Sequence, residues 1–325
     1  MKTVVIALAT TVVFLTGCVL PSSVPPASGG AGVQTGVVYD SSHQLSLDVY
    51  QPQGVQDAPL VVFFYGDRWQ HGTRAEYAYV GQALAARGFV AMVAEYRMYP
   101  PATWKEFLGD SAGAVVWARK HAAEYGADPD KLFVMGYSAG AYNAVMLGLD
   151  PQWLKAAGGS RSQLAGVIGI SGPYDFVPIT APDLRTIFWP PSGFAKTQPV
   201  YWADGHNPPM LLIASRANKV ANPADTEKLY NRIKQAGGPV TKLFYQGLSN
   251  NDTVRVLAIG RQDRADEMKN IAAFIHNTPA ASPTSQPSIS TQPTHIDSIS
   301  TLPAPTVLVA PAPAQSVLSP ASVPT

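Results

Sequence analysis

Residues 136–140 read Gly136-Tyr137-Ser138-Ala139-Gly140. They follow a short apolar run, Lys131–Met135, and open a helical stretch, Ala139–Leu149. A serine on a strand–turn–helix junction, with glycine two residues before and two after, suits a nucleophile elbow. Gly136 and Gly140 leave room for a sharp turn that lifts the Ser138 hydroxyl above the end of a sheet. The Ala139 peptide N–H, at the helix N-terminus, would then face a developing oxyanion. The chemistry expected is attack on an acyl carbon. A serine hydroxyl is a poor nucleophile, however, unless a base takes its proton.

The elements that must hold such a turn alternate along the chain. Strands are expected at Thr35–Ser41, Gln44–Tyr50, Pro59–Tyr65, Phe89–Tyr96, Lys131–Met135, Leu164–Ile170, Pro209–Ala214 and Thr241–Tyr245. Helices are expected at Arg74–Arg87, Trp104–Tyr125, Ala139–Leu149, Pro223–Ala236 and Val254–His276. Continuous apolar runs such as PLVVFFY mark strands buried on both faces. The expected fold is α/β: a mostly parallel sheet with helices on both faces, within one domain at residues 34–277. Residues 176–208, rich in proline and aromatics, interrupt the alternation and suit a small cap.

Several stretches carry a resemblance: VVFFYGDRWQHG, GFVAMVAEYRMYP, LFVMGYSAGAYNAVML and LAGVIGISGPYDF, in that order. Together they resemble the esterase-like, carboxylesterase and feruloyl-esterase-like branch of the α/β-hydrolase superfamily over about residues 44–276. The resemblance implies an α/β-hydrolase fold and a Ser–acid–His triad in chain order. The acid position falls in ASRANKVANP, at Asn218, and the histidine position in YQGLSN, at Asn250. The oxyanion hole falls on Gly66 and Asp67 with Ala139, where the family favours a second glycine over Asp67.

These departures bear on chemistry. An amide has no basic lone pair at neutral pH, so Asn250 cannot act as the base. Asn218 has no imidazole to orient. A carboxylate at Asp67 would oppose an oxyanion if turned toward it. Among the six histidines, His71 and His206 are the candidates for a surrogate base, with Asp252 a weaker one. His43, His121, His276 and His295 read as surface or capping residues. The aromatics Trp69, Tyr77, Phe188, Trp189, Tyr201 and Trp202 are candidates for an acyl or aryl pocket, or ordinary core and cap residues. The expected function is that of an esterase relative with weak or lost activity. The alternative is a non-catalytic relative that binds a small ester or acyl ligand, or a partner.

The two ends read differently. Residues 1–17 have Lys2 and a short apolar stretch, as a secretory signal does, and Leu15-Thr16-Gly17-Cys18 resembles the lipobox of bacterial lipoproteins. The resemblance implies a lipid on Cys18, the sole cysteine, and a membrane as partner. The expected location is the bacterial cell envelope, with the outer membrane implied by Val19 in a two-membrane host. Residues 18–33 read as a flexible tether, and residues 278–325 as a disordered Pro/Ser/Thr/Ala-rich tail that could contact an envelope or cell-wall partner. Over all 325 residues the net charge is +1 and only 14% are charged, so nucleic acid is not expected as a partner. No metal cluster and no cofactor fingerprint is evident, so no cofactor is expected.

Overall fold

In this computed structural model the described residues are 32–281, apart from 263. The signal segment, Cys18, His295 and most of the tether and tail lie outside them.

Leu60 to Phe64 are fully buried because the strand they form, β3 (Ala58–Phe64), has neighbours on both sides and helices on both faces. Around it lie β1 (Gly32–Asp40), β2 (Leu45–Gln51), β4 (Val90–Ala94), β5 (Ala127–Tyr137), β6 (Gly166–Ile170), β7 (Met210–Ser215) and β8 (Val240–Tyr245). They form one sheet in the order β1-β2-β4-β3-β5-β6-β7-β8. The first two strands run antiparallel to their neighbours, and β4, β3, β5, β6, β7 and β8 run parallel. The expected mostly parallel sheet is therefore present, and the fold is that of an α/β hydrolase.

The helices are α1 (Ala78–Ala85), α2 (Trp104–Lys120), α3 (Ala139–Leu149), α4 (Pro151–Ala156), α5 (Pro182–Ile187), α6 (Pro223–Gln235), α7 (Asp252–Arg255) and α8 (Glu267–Asn277). α2 starts on a capping box, in which Thr103 and Glu106 satisfy each other's backbone donors. Each fully buried Leu, Ile, Val or Phe on these inner faces contributes about 1.5–3 kcal/mol of burial.

Four expectations need correction. The single helix expected over Val254–His276 is two helices, α7 and α8, separated by a turn in which Gly260 has φ 84°. The helix expected at Arg74 opens instead with a 3₁₀ turn, Ala75–Tyr77. β1 begins at Gly32, inside the segment read as tether. Thr278–Ala281, read as the start of the tail, still touch the domain: the Ala281 N–H donates to Asp130 O at 2.7 Å.

Parallel strands put their carboxyl ends on one edge, where ligands of open α/β sheets bind. The loops leaving β3, β5, β6, β7 and β8 carry residues 66–69, Ser138, 173–177, 216–225 and 250–251 respectively. The cap lies on this side, built from α5 and the 3₁₀ turns Pro191–Thr197 and Pro199–Trp202.

Candidate active site

Ser138 stands between β5 and α3 with φ 51° and ψ −117°, a strained conformation for a residue with a side chain. The turn is possible because its neighbours lack side chains. A Cβ on Gly136 would lie 2.1 Å from Gly140 O, and one on Gly140 would lie 2.1 Å from Phe64 O. Ala139 and Gly140 are the first helical residues, so their N–H groups have no acceptor within α3. The elbow expected at residues 136–140 thus has the required backbone.

The loop after β3 lies against the serine: a Cβ on Gly66 would be 2.9 Å from Ser138 Cβ. The next three residues all have left-handed backbones, with φ of 89° at Asp67, 56° at Arg68 and 60° at Trp69. Trp69 holds this strained run in place. It is buried, and its Nε1 donates to Asn143 Oδ1 at 3.0 Å, while Asn143 Nδ2 donates to Ser111 Oγ at 3.1 Å. From the outside, Arg68 pairs with Asp183 of α5 at 2.6 Å, and Gln70 donates to the same oxygen. The Arg68 hydrogen bond holds the Asp183 carboxyl below its ordinary pKa.

Asn218 and Asn250 meet. Asn218 Oδ1 accepts from the backbone N–H groups of Val220 (2.9 Å) and Ala221 (3.1 Å). Its Nδ2 donates to Asn250 Oδ1 at 2.9 Å. That leaves Asn250 Nδ2 to donate to the Tyr137 hydroxyl at 2.6 Å. The direction of this chain follows from the two backbone donors at its origin, which need an acceptor oxygen.

Ser138 lines two cavities. The first, about 390 Å³, is walled by Trp69, Phe176, Val177, Leu184 and Val220, with Arg68, Asp175, Asp225 and Lys228 as its charged residues. The second, about 560 Å³, is lined by Tyr77, Tyr79, Tyr137, Asn250 and Arg255, and the Asp67 carboxylate borders it too.

The surrogate bases do not reach this place. His206 precedes β7, so it lies at the amino-terminal edge of the sheet, opposite Ser138, beside Pro208 and Pro209. His71 is exposed and lines neither cavity. Among the described residues no imidazole lines either one. His43 is bonded to Asp40, His121 to Glu124, and His276 packs on Phe89. Asp252 accepts from the Ser249 hydroxyl, which lowers its pKa, and begins α7. The aromatic set splits: Trp69 and Tyr77 line the cavities and Phe188 is buried behind them, but Trp189 and Tyr201 are more than half exposed. Trp202 packs beside Tyr201.

One potential metal-ligand group was not singled out from the sequence. Asp40, His43 and Asp110 bring ligand atoms within 4.8 Å of one another. Both Asp110 oxygens already bind the Arg97 guanidinium, at 2.8 and 2.9 Å. Arg68, Asp183, Asp175, Asp225 and Lys228 are further residues of the site that no sequence motif singles out. Arg68 and Asp175 lie within the resembling stretches VVFFYGDRWQHG and GPYDF, whereas Asp183, Asp225 and Lys228 lie outside them.

Fold and site define an esterase-like α/β hydrolase, related to carboxylic-ester hydrolases. The chain belongs to the BD-FAE family, whose model matches residues 47–233. It is 31% identical over 197 residues to Esterase LipC of Mycobacterium tuberculosis, covering 54% of this chain and 49% of that protein. It is 26% identical over 243 residues to isoprenylcysteine alpha-carbonyl methylesterase of Arabidopsis thaliana, covering 68% of this chain and 57% of that one. The chain thus spans about half the length of these curated relatives. Among solved structures, a truncated carbohydrate esterase from gut microbiota superposes with a TM-score of 0.67 at 21% identity, covering 78% of this chain and 98% of that one. Esterase 2 of Thermogutta terrifontis gives 0.64 at 23%, covering 80% and 98%. At these identities the two structures speak for the fold.

Proposed function

We propose that this protein is a lipid-anchored envelope member of its family that binds an ester or acyl ligand beside Ser138, with strongly reduced or absent turnover. The observation that carries this reading is the hydrogen bond from Asn218 to Asn250. It supports the assignment of both amides to the acid and histidine positions of the family triad. With an amide there, nothing adjacent takes the serine proton, and in a serine protease loss of the histidine alone costs about 10⁶ in turnover. The elbow and the two cavities that Ser138 lines support retained binding. The first cavity suits an apolar acyl group. The second, with three tyrosines and two asparagines, suits a polar, hydroxyl-bearing group. The anchor at Cys18, and with it a membrane partner, rests on the lipobox resemblance.

The test uses the purified full chain with short p-nitrophenyl esters and a fluorophosphonate probe, beside Ser138→Ala. Slow or absent labelling and turnover are expected. Robust turnover that vanishes in Ser138→Ala would overturn the reading. Mass spectrometry of the mature N-terminus, beside Cys18→Ala, tests the anchor: an unlipidated wild type would exclude it.

A further inference from the structure

The first cavity has four charged residues in its wall, and three of them are already matched. Arg68 pairs with Asp183. Lys228 pairs with Asp175 at 2.9 Å. Asp225, in the first turn of α6, is left. Its residue is 4% exposed, and among the described residues its carboxylate has no ion pair and no side-chain hydrogen bond. Yet it borders the cavity rather than solid core. Burial pushes this carboxyl up to about 6, with Lys228 pulling it down and Asp175 pushing it up. The peptide groups of Tyr174 and Asp175 lie near enough to favour the ionised form. A carboxylate has about four acceptor sites, so two peptide donors leave capacity unused. An acceptor buried without its full set of partners is destabilising until a ligand donor reaches it. Trp69, Phe176, Val177 and Leu184 supply apolar surface in the same wall. A buried acceptor with capacity to spare in a cavity wall discriminates strongly, because a ligand without a donor leaves it unpaired.

We propose that Asp225 is a specificity residue that accepts a hydrogen bond from a hydroxyl or amino group carried by the ligand away from its carbonyl. The inference rests on the reading that the Ser138 cavity holds an ester or acyl ligand. Plain hydrocarbon tails are then disfavoured relative to tails that end in a donor.

The experiment uses methyl ketones, which mimic methyl esters but cannot be hydrolysed. Three series are titrated calorimetrically into the full chain: unsubstituted, ω-hydroxy and ω-amino, each from butanone to octanone in length. At one length at least, a donor-bearing ketone should bind about tenfold tighter than its plain counterpart of equal size. The hydroxy and amino arms tell a neutral donor from a cationic one, and a preference for either supports the proposal. Asp225→Leu should erase the preference. If that variant does not fold, Asp225→Asn should weaken the hydroxy preference and remove the amino one. Equal binding of all three series overturns the proposal and leaves the proposed function standing. A preference undiminished in a folded variant also overturns it. Binding of no ketone at all overturns both.

Discussion

The Tyr137 hydroxyl accepts from Asn250 Nδ2 at 2.6 Å and donates to Asn251 Oδ1 at 3.0 Å. Tyr137 is the residue before the serine, so the elbow is tied directly to the loop after β8. Burial raises its pKa, and the hydroxyl stays neutral. It therefore offers Ser138 no base, and it fixes Asn250 with its side-chain oxygen turned toward Asn218.

That arrangement predicts a gain of function. The backbone donors of Val220 and Ala221 at Asn218 Oδ1 would serve a carboxylate at least as well as an amide. Asn250→His should introduce measurable p-nitrophenyl acetate hydrolysis, and the pair Asn218→Asp with Asn250→His should raise it further. A gain of about 10²–10⁴ over the starting protein is expected from general-base assistance. No gain in the folded double variant would show that Ser138 is not aligned for attack.

The strained elbow predicts a stability effect of known sign. Ser138→Gly relieves a conformation costing about 1–3 kcal/mol, less about 0.5–1 kcal/mol for the greater freedom of unfolded glycine. The variant should be as stable as the parent or up to about 2.5 kcal/mol more stable. Gly140→Ala should do the reverse, losing about 3 kcal/mol or more, because its Cβ meets a backbone oxygen that cannot turn aside. Urea unfolding of the two variants measures both.

Glu267 is fully buried at the start of α8, and neither of its carboxyl oxygens has a partner among the described residues. Burial, with Asp266 nearby, raises its pKa well above the ordinary value. The stabilising form is the neutral one. Its contribution is therefore complete below the ordinary carboxylate pKa and is lost as pH rises toward the folded value. Asp225, pushed up to about 6, acts in the same direction. Glu267→Met should flatten the pH dependence and add about 1–3 kcal/mol at neutral pH. Urea midpoints at about pH 5 and about pH 8 test this. A gap between variant and parent that does not widen with pH would sink it.

Asp183 holds Arg68 and Gln70, and so clamps the loop beside Ser138 to the cap. The pair is partly exposed, so Asp183→Ala should cost at most about 1 kcal/mol of stability. It should nevertheless weaken ketone binding severalfold, because the left-handed run Asp67–Trp69 loses its outer restraint. Calorimetry beside urea unfolding separates the two effects. Unchanged affinity would show that Trp69 alone sets the loop.

The central sheet was legible because buried parallel strands are written as unbroken apolar runs, as in Leu60–Phe64. Ser138 was legible because its turn needs glycine on both sides. Asn218 and Asn250 stood out only against a family pattern. Their mutual bond spans 32 residues and depends on two loops that local sequence does not fix. The Arg68–Asp183 link spans 115 residues and left no local mark. The helix α4 was missed although Asp150 and Pro151 form an N-cap and first turn. His206 could have been set aside from topology: a residue just before a parallel strand sits at the wrong edge.

Gly140 brings α3 down onto the backbone of β3, with no side chain between them. That wall of the ligand site cannot yield. Whatever adaptability the site has must come from the opposite side, the loop around Phe176 and the cap over it. Changes of ligand among relatives built on the same elbow should accordingly be written in the segment from residue 173 to residue 202, and a transplant of that segment alone should carry a relative's ligand range with it.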